Sequence, residues 1–173
     1  MHGELTSRER LQPSLLDRLS DDDRGQVVEP RDKRVLSMRD LRKAVLRDLG
    51  WLLNSSSLGS FRDLSAYPLA SQSVLNFGLL DLAGKTAAGL DREALGRRIR
   101  QAIWDFEPRI LRDSVRVIPV APSGKTAGPN QMAFEIHGEL WGQPLPERLY
   151  LKTELDLEAG EARLFDIETR DVR

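Results

Sequence analysis

The sequence contains no cysteine, and only 6% of its residues are aromatic. The absence of cysteine excludes disulfides, thiolate metal ligands and thiol nucleophiles together, and it fits a reducing compartment such as the cytoplasm. No apolar run approaches the ~20 residues that a membrane helix needs, and the amino terminus lacks the apolar core of a signal peptide. Because 26 basic residues nearly balance 27 acidic ones, no overall charge attracts nucleic acid or anionic lipid. We therefore expect a soluble, intracellular protein with no nucleic-acid partner and no direct membrane insertion.

The chain divides into a polar arm and one compact domain. Residues 1 to 36 are rich in charge and are interrupted only by "PSLLDRL", where Pro13 and Ser14 favour the start of a short helix that presents leucines. The charged block after this helix is typical of solvated chain. We predict a flexible arm over residues 1 to 36 with one short apolar helical turn, and a single domain over residues 37 to 173.

Two segments of the domain have the periodicity of amphipathic helices. Ser37 and Asp40 resemble a capping box and predict a helix over residues 38 to 53. Asp91 is the predicted N-cap of the second helix, which should end at about Phe106. The apolar positions that define these helices are Met38, Leu41, Val45, Leu49 and Leu52 in the first, and Leu95, Ile99, Ala102, Ile103 and Phe106 in the second. The connection between them, with a short apolar element at residues 71 to 77, is long enough to suggest that it packs or binds.

After residue 110 the period falls to two, which is typical of strands with one buried face. Alternation covers residues 114 to 117, 132 to 140 and 149 to 157, and "EAGEA" around Gly160 predicts a hairpin that returns along residues 163 to 168. Helices followed by strands indicate an α+β fold, with N-terminal helices packed on a C-terminal antiparallel sheet that ends in a β-hairpin.

Three patterns resemble ligand sites, but each is incomplete. "PSGKTAG" at residues 122 to 128 contains the Gly-Lys-Thr of a phosphate-binding loop, yet Pro119 stands where that loop needs its first glycine. His137 lies between Glu135 and Glu139 on one strand face, a trio that fits either a weak metal site or an ordinary solvated face. The arginines of the second helix lack the interleaved aromatic residues of a nucleic-acid site, and they are Arg92, Arg97, Arg98 and Arg100. We predict no cofactor and no metal.

The stretch "FEPR" at the end of the second helix is more informative. Pro108 disfavours helical geometry at Glu107, so the helix should end at Phe106 and leave Glu107 extended. A carboxylate is unfavourable beside the partially negative carbonyls of a helix C-terminus unless a cation offsets it, and Arg109 is the nearest cation. The motif therefore forms either an internal ion pair or a rigid acid–base fork for another protein. A glycosidase role for Glu107 needs a second carboxylate at a fixed separation, which a sequence cannot reveal.

Four blocks of the sequence together resemble the TssE family. They are "PSLLDRL" near the start, "LRKAVLRDLGWLLNS" at residues 41 to 55, "YPLASQSVLNFGLLDLAG" at residues 67 to 84 and "IWDFEPRI" at residues 103 to 110. TssE is the type VI secretion baseplate subunit related to the wedge protein of contractile phage tails. The resemblance extends from residue 13 to about residue 120, and the ordered combination is far more specific than any single block.

The resemblance implies a non-enzymatic structural role in a cytoplasmic baseplate at the inner membrane. Members of that family join the TssF and TssG wedge to the contractile sheath of TssB and TssC and help to initiate sheath assembly. Their Glu-Pro-Arg motif, associated with wedge and sheath assembly, corresponds here to Glu107, Pro108 and Arg109. These three are the expected protein-binding residues, and no catalytic residue is expected.

The chain departs from the family pattern at one place. Relatives usually read Asn-Tyr-Gly-Leu-Pro-Asp where this chain reads "NFGLLD" at residues 76 to 81, so the tyrosine hydroxyl and the turn proline are missing. The family has also carried a lysozyme label, but no catalytic constellation in this sequence supports it. Two alternatives remain open: a peptidoglycan-cleaving, lysozyme-like glycosidase and a regulatory adaptor built on the same fold.

Overall fold

The computed structural model describes residues 14–19, 37–79, 81–122, 128–142 and 145–167. The helices precede the strands, as the α+β prediction requires. They are α1 (Leu15–Leu19), α2 (Met38–Asn54), α3 (Pro68–Ser71) and α4 (Arg92–Phe106), and the strands are β1 (Arg116–Val120), β2 (Gln131–Leu140), β3 (Glu147–Asp156) and β4 (Glu161–Asp166). Among the described residues, no helix is long and apolar enough to cross a membrane.

Two sequence predictions fall largely outside the described residues. Of the predicted arm, residues 14–19 are described, and they form α1 where "PSLLDRL" predicts a helical turn. Residues 123–127, the centre of the "PSGKTAG" segment, are not among the described residues. What the sequence predicts for the rest of the arm and for that loop therefore stays a prediction.

Helix α2 begins where its capping residues predict. The Ser37 hydroxyl accepts the Asp40 backbone N–H at 3.2 Å and donates to the Asp40 carboxylate at 2.6 Å. This arrangement satisfies one of the N–H groups that the first turn of a helix leaves without a partner. The helix ends at Asn54, one residue beyond the prediction. Its buried face consists of Leu41, Ala44, Val45, Leu49, Leu52 and Leu53.

Helix α4 also matches its predicted bounds. The Asp91 carboxylate accepts the Glu93 backbone N–H at 2.9 Å, which makes Asp91 the N-cap. The buried positions are Leu95, Gly96, Ile99, Ala102 and Ile103, while Arg97 and Arg98 are exposed. Phe106, in the last turn, is half-buried and meets the Phe77 ring edge-on at a centroid distance of 5.4 Å. The helix therefore buries one stripe and leaves its arginines largely outside that stripe.

The four strands form one antiparallel sheet in the order β1-β2-β3-β4. Strand β1 begins at Arg116, two residues later than the alternating pattern predicts, because Arg112–Ser114 forms a 3₁₀ turn. Strand β4 begins at Glu161 because the hairpin is tight, with Gly160 in the left-handed region at φ 69°. Glycine adopts that region at no steric cost.

One face of the sheet packs against α2 and α4. Helix α4 contacts β1, and α2 contacts β4. The two helices therefore lie on the same face of the sheet, one over the β1 end and the other over the β4 end. The largest fully buried side chains include Leu49 and Leu52 of α2, Ile99 and Ile103 of α4, and Phe134 of β2. Burying a side chain of this size stabilises a fold by roughly 1.5–3 kcal/mol, so this layer is the main source of stability.

The connection between α2 and α4 folds back onto the end of α2. The Leu79 N–H donates to the Ser55 carbonyl at 2.7 Å, and the Ser57 N–H donates to the Leu79 carbonyl at 2.8 Å. Gly78 makes this approach possible, because it has φ 124° and a Cβ there would collide with the Ser55 carbonyl. The short element predicted at residues 71 to 77 is instead the single turn of α3 followed by a 3₁₀ turn at Val74–Asn76.

Candidate protein-binding site

The Glu-Pro-Arg motif forms a tight turn at the end of α4. Glu107 is the C-cap residue, with φ −123° and ψ 76°, and its N–H still donates to the Ile103 carbonyl at 2.9 Å. The helix ends at Phe106 as predicted, but Glu107 does not have the extended geometry that was predicted. The Ile110 N–H donates to the Glu107 carbonyl at 3.2 Å and closes a turn, because Pro108 has a fixed φ that suits the second position of a β-turn.

This turn brings the two charged side chains of the motif together. Arg109 Nε donates to Glu107 Oε1 at 2.6 Å, and Arg109 Nη2 donates to Glu107 Oε2 at 2.5 Å. The Arg109 backbone N–H adds a third contact to Glu107 Oε1 at 3.2 Å. Parallel guanidinium–carboxylate bonds of this kind are the strongest class of side-chain hydrogen bond. Both carboxylate oxygens of Glu107 are therefore engaged by Arg109.

Burial explains why Glu107 needs this partner. Glu107 is only 3% exposed, and it lies beside the carbonyl end of α4, where a negative charge is unfavourable. Burial of Arg109 lowers the pKa of its guanidinium, but the bonds to Glu107 and then Asp48 outweigh burial and raise that pKa above its ordinary value. Arg109 thus stays charged and offsets both the carboxylate and the helix end.

Asp48 of α2 extends the pair into a network. Asp48 Oδ2 accepts a hydrogen bond from Arg109 Nη2 at 2.6 Å, and Asp48 Oδ1 accepts one from Arg47 Nε at 2.8 Å. Arg47 Nη1 in turn donates to Asp17 Oδ1 of α1 at 2.6 Å. Charges alternate in sign along this series of five side chains, which joins α1 and α2 to the turn after α4. We call it the Glu107–Asp17 network.

An open apolar cleft lies beside the network. It has a volume of about 230 Å³ and faces solvent between α1, α2 and the end of α4. Its apolar lining consists of Leu16, Leu49, Trp51, Leu52, Phe77 and Phe106, and its polar rim consists of Asp48, Glu107 and Arg109. Trp51 is half exposed, and Pro108 is exposed next to the rim. Trp51 and Pro108 therefore leave exposed apolar groups beside the paired charges of the motif, and tryptophan is enriched where proteins bind one another.

The sequence predicts part of this site and misses the rest. The structure shows the internal ion pair between Glu107 and Arg109, and the protein-binding role of Glu107, Pro108 and Arg109 stays a prediction. Asp48 was not predicted, because it is 61 residues from Arg109 and a helical charge carries no signal of its distant partner. Phe77 belongs to the block that departs from the family pattern, and its ring, which lacks the tyrosine hydroxyl, lines the apolar cleft.

The other candidate groups are explained by local packing. His137 Nε2 lies 3.3 Å from Glu135 Oε2, and its ring meets Tyr150 edge-on. In the described ranges, no group of three or more His, Cys, Asp or Glu side chains is arranged to hold a metal. Two arginines lie over the ring of Trp104. The guanidinium of Arg100, on α4, is 4.9 Å from the ring centroid, and that of Arg112, after α4, is 4.8 Å from it. These contacts anchor Trp104 to the turn before β1.

Comparison with known proteins gives one assignment. No curated protein and no solved structure matched the chain. The family model of the baseplate wedge protein gp25 matches residues 39–145, which include α2, α4, the Glu-Pro-Arg turn and β2. Because the match covers more than half of the chain, this protein belongs to the gp25 baseplate wedge family, whose members are structural components of phage-tail-like baseplates.

Proposed function

We propose that this chain is the TssE-type wedge subunit of a type VI secretion baseplate in the cytoplasm. In this role it joins the TssF and TssG wedge to the contractile sheath of TssB and TssC and helps to start sheath assembly. Membership of the gp25 family supports the baseplate role, and the four sequence blocks shared with TssE support the type VI assignment. The single observation that carries the proposal is the family match across the motif and both long helices.

The geometry of the motif supports different roles for its three residues. Glu107 is buried and cannot reach a partner, so its role is to hold Arg109. Arg109 retains about a quarter of its side-chain exposure, and Pro108 is exposed beside it. We propose that a wedge or sheath subunit contacts Pro108 and Arg109 and covers the neighbouring apolar cleft. Because proline is rigid and Arg109 is already held by Glu107 and Asp48, binding them costs little conformational entropy.

The hairpin end of the sheet is the proposed contact for sheath strands. Among the described strands, β4 is an edge of the sheet, and an edge strand can pair with a strand of another subunit through main-chain hydrogen bonds. Asn54 of α2 already bonds the backbone of Ala162 on the side that faces away from β3: its amide donates to the Ala162 carbonyl at 2.9 Å and accepts the Ala162 N–H at 2.8 Å. An added strand could therefore not pair with Ala162, which restricts its register.

The same pair supports a non-catalytic role. A glycosidase needs a protonated acid directed at the leaving group and a second carboxylate on the other side of the bond. Both oxygens of Glu107 accept hydrogen bonds from Arg109, and the nearby carboxylate of Asp48 is bound to the same guanidinium. This arrangement suits a structural ion pair, and we propose that the chain has no glycosidase activity.

Purification of the tagged chain from its native cell tests the proposal. We expect TssF and TssG to co-purify, with TssB and TssC in cells that contain assembled sheath. Recovery of a soluble regulator without TssF and TssG would favour the adaptor. Cleavage of peptidoglycan by the purified chain, abolished in Glu107→Gln, would favour the glycosidase.

A further inference from the structure

Among the described residues, one acidic side chain of α1 bonds this helix to α2. Asp17 Oδ1 accepts a hydrogen bond from Arg47 Nη1 of α2 at 2.6 Å, and the Asp17 side chain is only 14% exposed. Its other oxygen, Oδ2, accepts the Ser14 hydroxyl at 2.6 Å, which fixes the carboxylate at the start of α1. Asp17 therefore bonds to the start of its own helix through Ser14 and to α2 through Arg47.

The described leucines of α1 contribute little to this attachment. Leu15 is 71% exposed and Leu16 is 42% exposed, although Leu16 forms part of the wall of the apolar cleft. A helix of five residues is too short to be stable in water without tertiary contacts. Since both of these leucines are exposed, the described contact that places α1 on α2 is the one between Asp17 and Arg47.

Arg47 is well positioned to receive α1. Its Nε is bound to Asp48, and its guanidinium lies over the Trp51 ring at 5.0 Å from the centroid. Its Nη2 is buried and has no hydrogen-bond partner among the described residues, so the contact with Asp17 uses one nitrogen rather than a parallel pair. Ion pairs between partly exposed groups contribute little and are weakened by salt, so loss of either charge favours the release of α1.

We propose that α1 is a charge-held latch, docked reversibly on α2 by the Asp17–Arg47 contact. In the docked state, α1 supplies the Leu16 wall of the cleft and is linked to the Glu107–Arg109 pair through Arg47 and Asp48. In the released state, that wall is absent. The latch thus determines whether α1 and the Glu-Pro-Arg turn present one continuous surface. This property belongs to the isolated chain and does not depend on the proposed baseplate partners.

Spin-label mobility in the full chain tests the latch. The sequence has no cysteine, so Leu15→Cys, at an exposed position of α1, gives a single labelling site. At neutral pH we expect a predominantly slow component in the labelled parent. Asp17→Asn should lower the slow fraction several-fold, and ~1 M NaCl should act in the same direction because its Debye length is only about 3 Å.

Two further variants separate docking from the folding of α1 itself. Arg47→Gln removes the receiving charge without touching the cap of α1, so it should mobilise the label as Asp17→Asn does. Glu93→Gln removes the same charge as Asp17→Asn on the exposed first turn of α4 and should leave the spectrum unchanged. The latch is overturned if the parent label is as mobile as in the urea-unfolded chain, if Arg47→Gln leaves it slow, or if Glu93→Gln frees it equally.

Discussion

Arg109 binds both carboxylate oxygens of Glu107, two residues earlier in the chain, across a turn that Pro108 helps to form. The pair resolves the conflict of a buried acid at the carbonyl end of α4, because the guanidinium neutralises the acid where water cannot. It also holds Arg109 against Asp48 of α2. A sequence feature that looks unfavourable in isolation thereby fixes the end of α4 relative to α2.

Replacing Glu107 with glutamine should destabilise the domain by about 2 kcal/mol, because a charged acceptor of Arg109 is lost at a buried position. Urea unfolding at neutral pH measures the change. Glu135→Gln is the matched control, since Glu135 is a partly exposed strand residue, and it should leave the unfolding midpoint nearly unchanged. Equal losses of unfolding free energy in both variants would contradict a specific stabilising role of the Glu107–Arg109 pair.

Asp48 and Glu107 should be energetically coupled through their shared partner. Asp48→Asn alone should cost about 1 kcal/mol, because Arg109 keeps its bonds to Glu107. In the Glu107→Gln background the same change should cost more, by about 0.5 kcal/mol or more, since Arg109 then loses its last carboxylate. A double-mutant cycle in urea gives this difference. Strictly additive values would contradict a shared network.

Gly78→Ala should destabilise the domain by about 3 kcal/mol or more. The new Cβ would meet the Ser55 carbonyl and lie 2.9 Å from the Ser57 nitrogen, in backbone geometry that a side chain rarely adopts. Gly50→Ala provides the contrast: Gly50 is inside α2, a Cβ there has nothing within 4 Å, and the change should stabilise by about 0.5–1 kcal/mol. Thermal unfolding of both variants tests this prediction, which a mild effect at Gly78 would contradict.

The docking of α1 should weaken in acid. Burial raises the pKa of Asp17, but the Ser14 hydroxyl and Arg47 outweigh burial, so the pKa lies below its usual value of 3.8. Since the folded-state pKa is lowered, the contribution of Asp17 is present above the unfolded pKa and is lost as pH falls through the folded one. Asp48 faces the same Arg47 guanidinium and must be titrated alongside.

Carboxyl-carbon NMR measures that titration directly. The Asp17 midpoint should lie below 3.8, and Arg47→Gln should move it upward by removing the facing cation. An Asp17 midpoint at or above the usual value in the parent chain would contradict the contact with Arg47.

Local signals account for what the sequence predicts correctly. Ser37 and Asp91 cap the two long helices from adjacent positions, and Glu107 and Arg109 are close enough in the chain for their pairing to be inferred. Asp48 and Asp17 belong to the same network, but their partners are 61 and 30 residues away, and helical periodicity describes only which face a residue lies on. The turn at Pro108 was missed because the residue before a proline is usually extended, whereas the Ile110 N–H to Glu107 bond closes the chain here.

The most direct test of the account is sheath assembly in living cells that carry Glu107→Gln together with Arg109→Gln. Removing both charges avoids leaving either one buried alone, so the variant should remain folded, which its unfolding midpoint will confirm. Glu93→Gln with Arg98→Gln, on the exposed face of α4, serves as the charge-matched control. We predict that fluorescently labelled sheaths form normally in the control and become rare in the Glu107 and Arg109 double variant. Sheaths of normal number and length in cells with the folded double variant would contradict the assignment of this turn as an assembly contact.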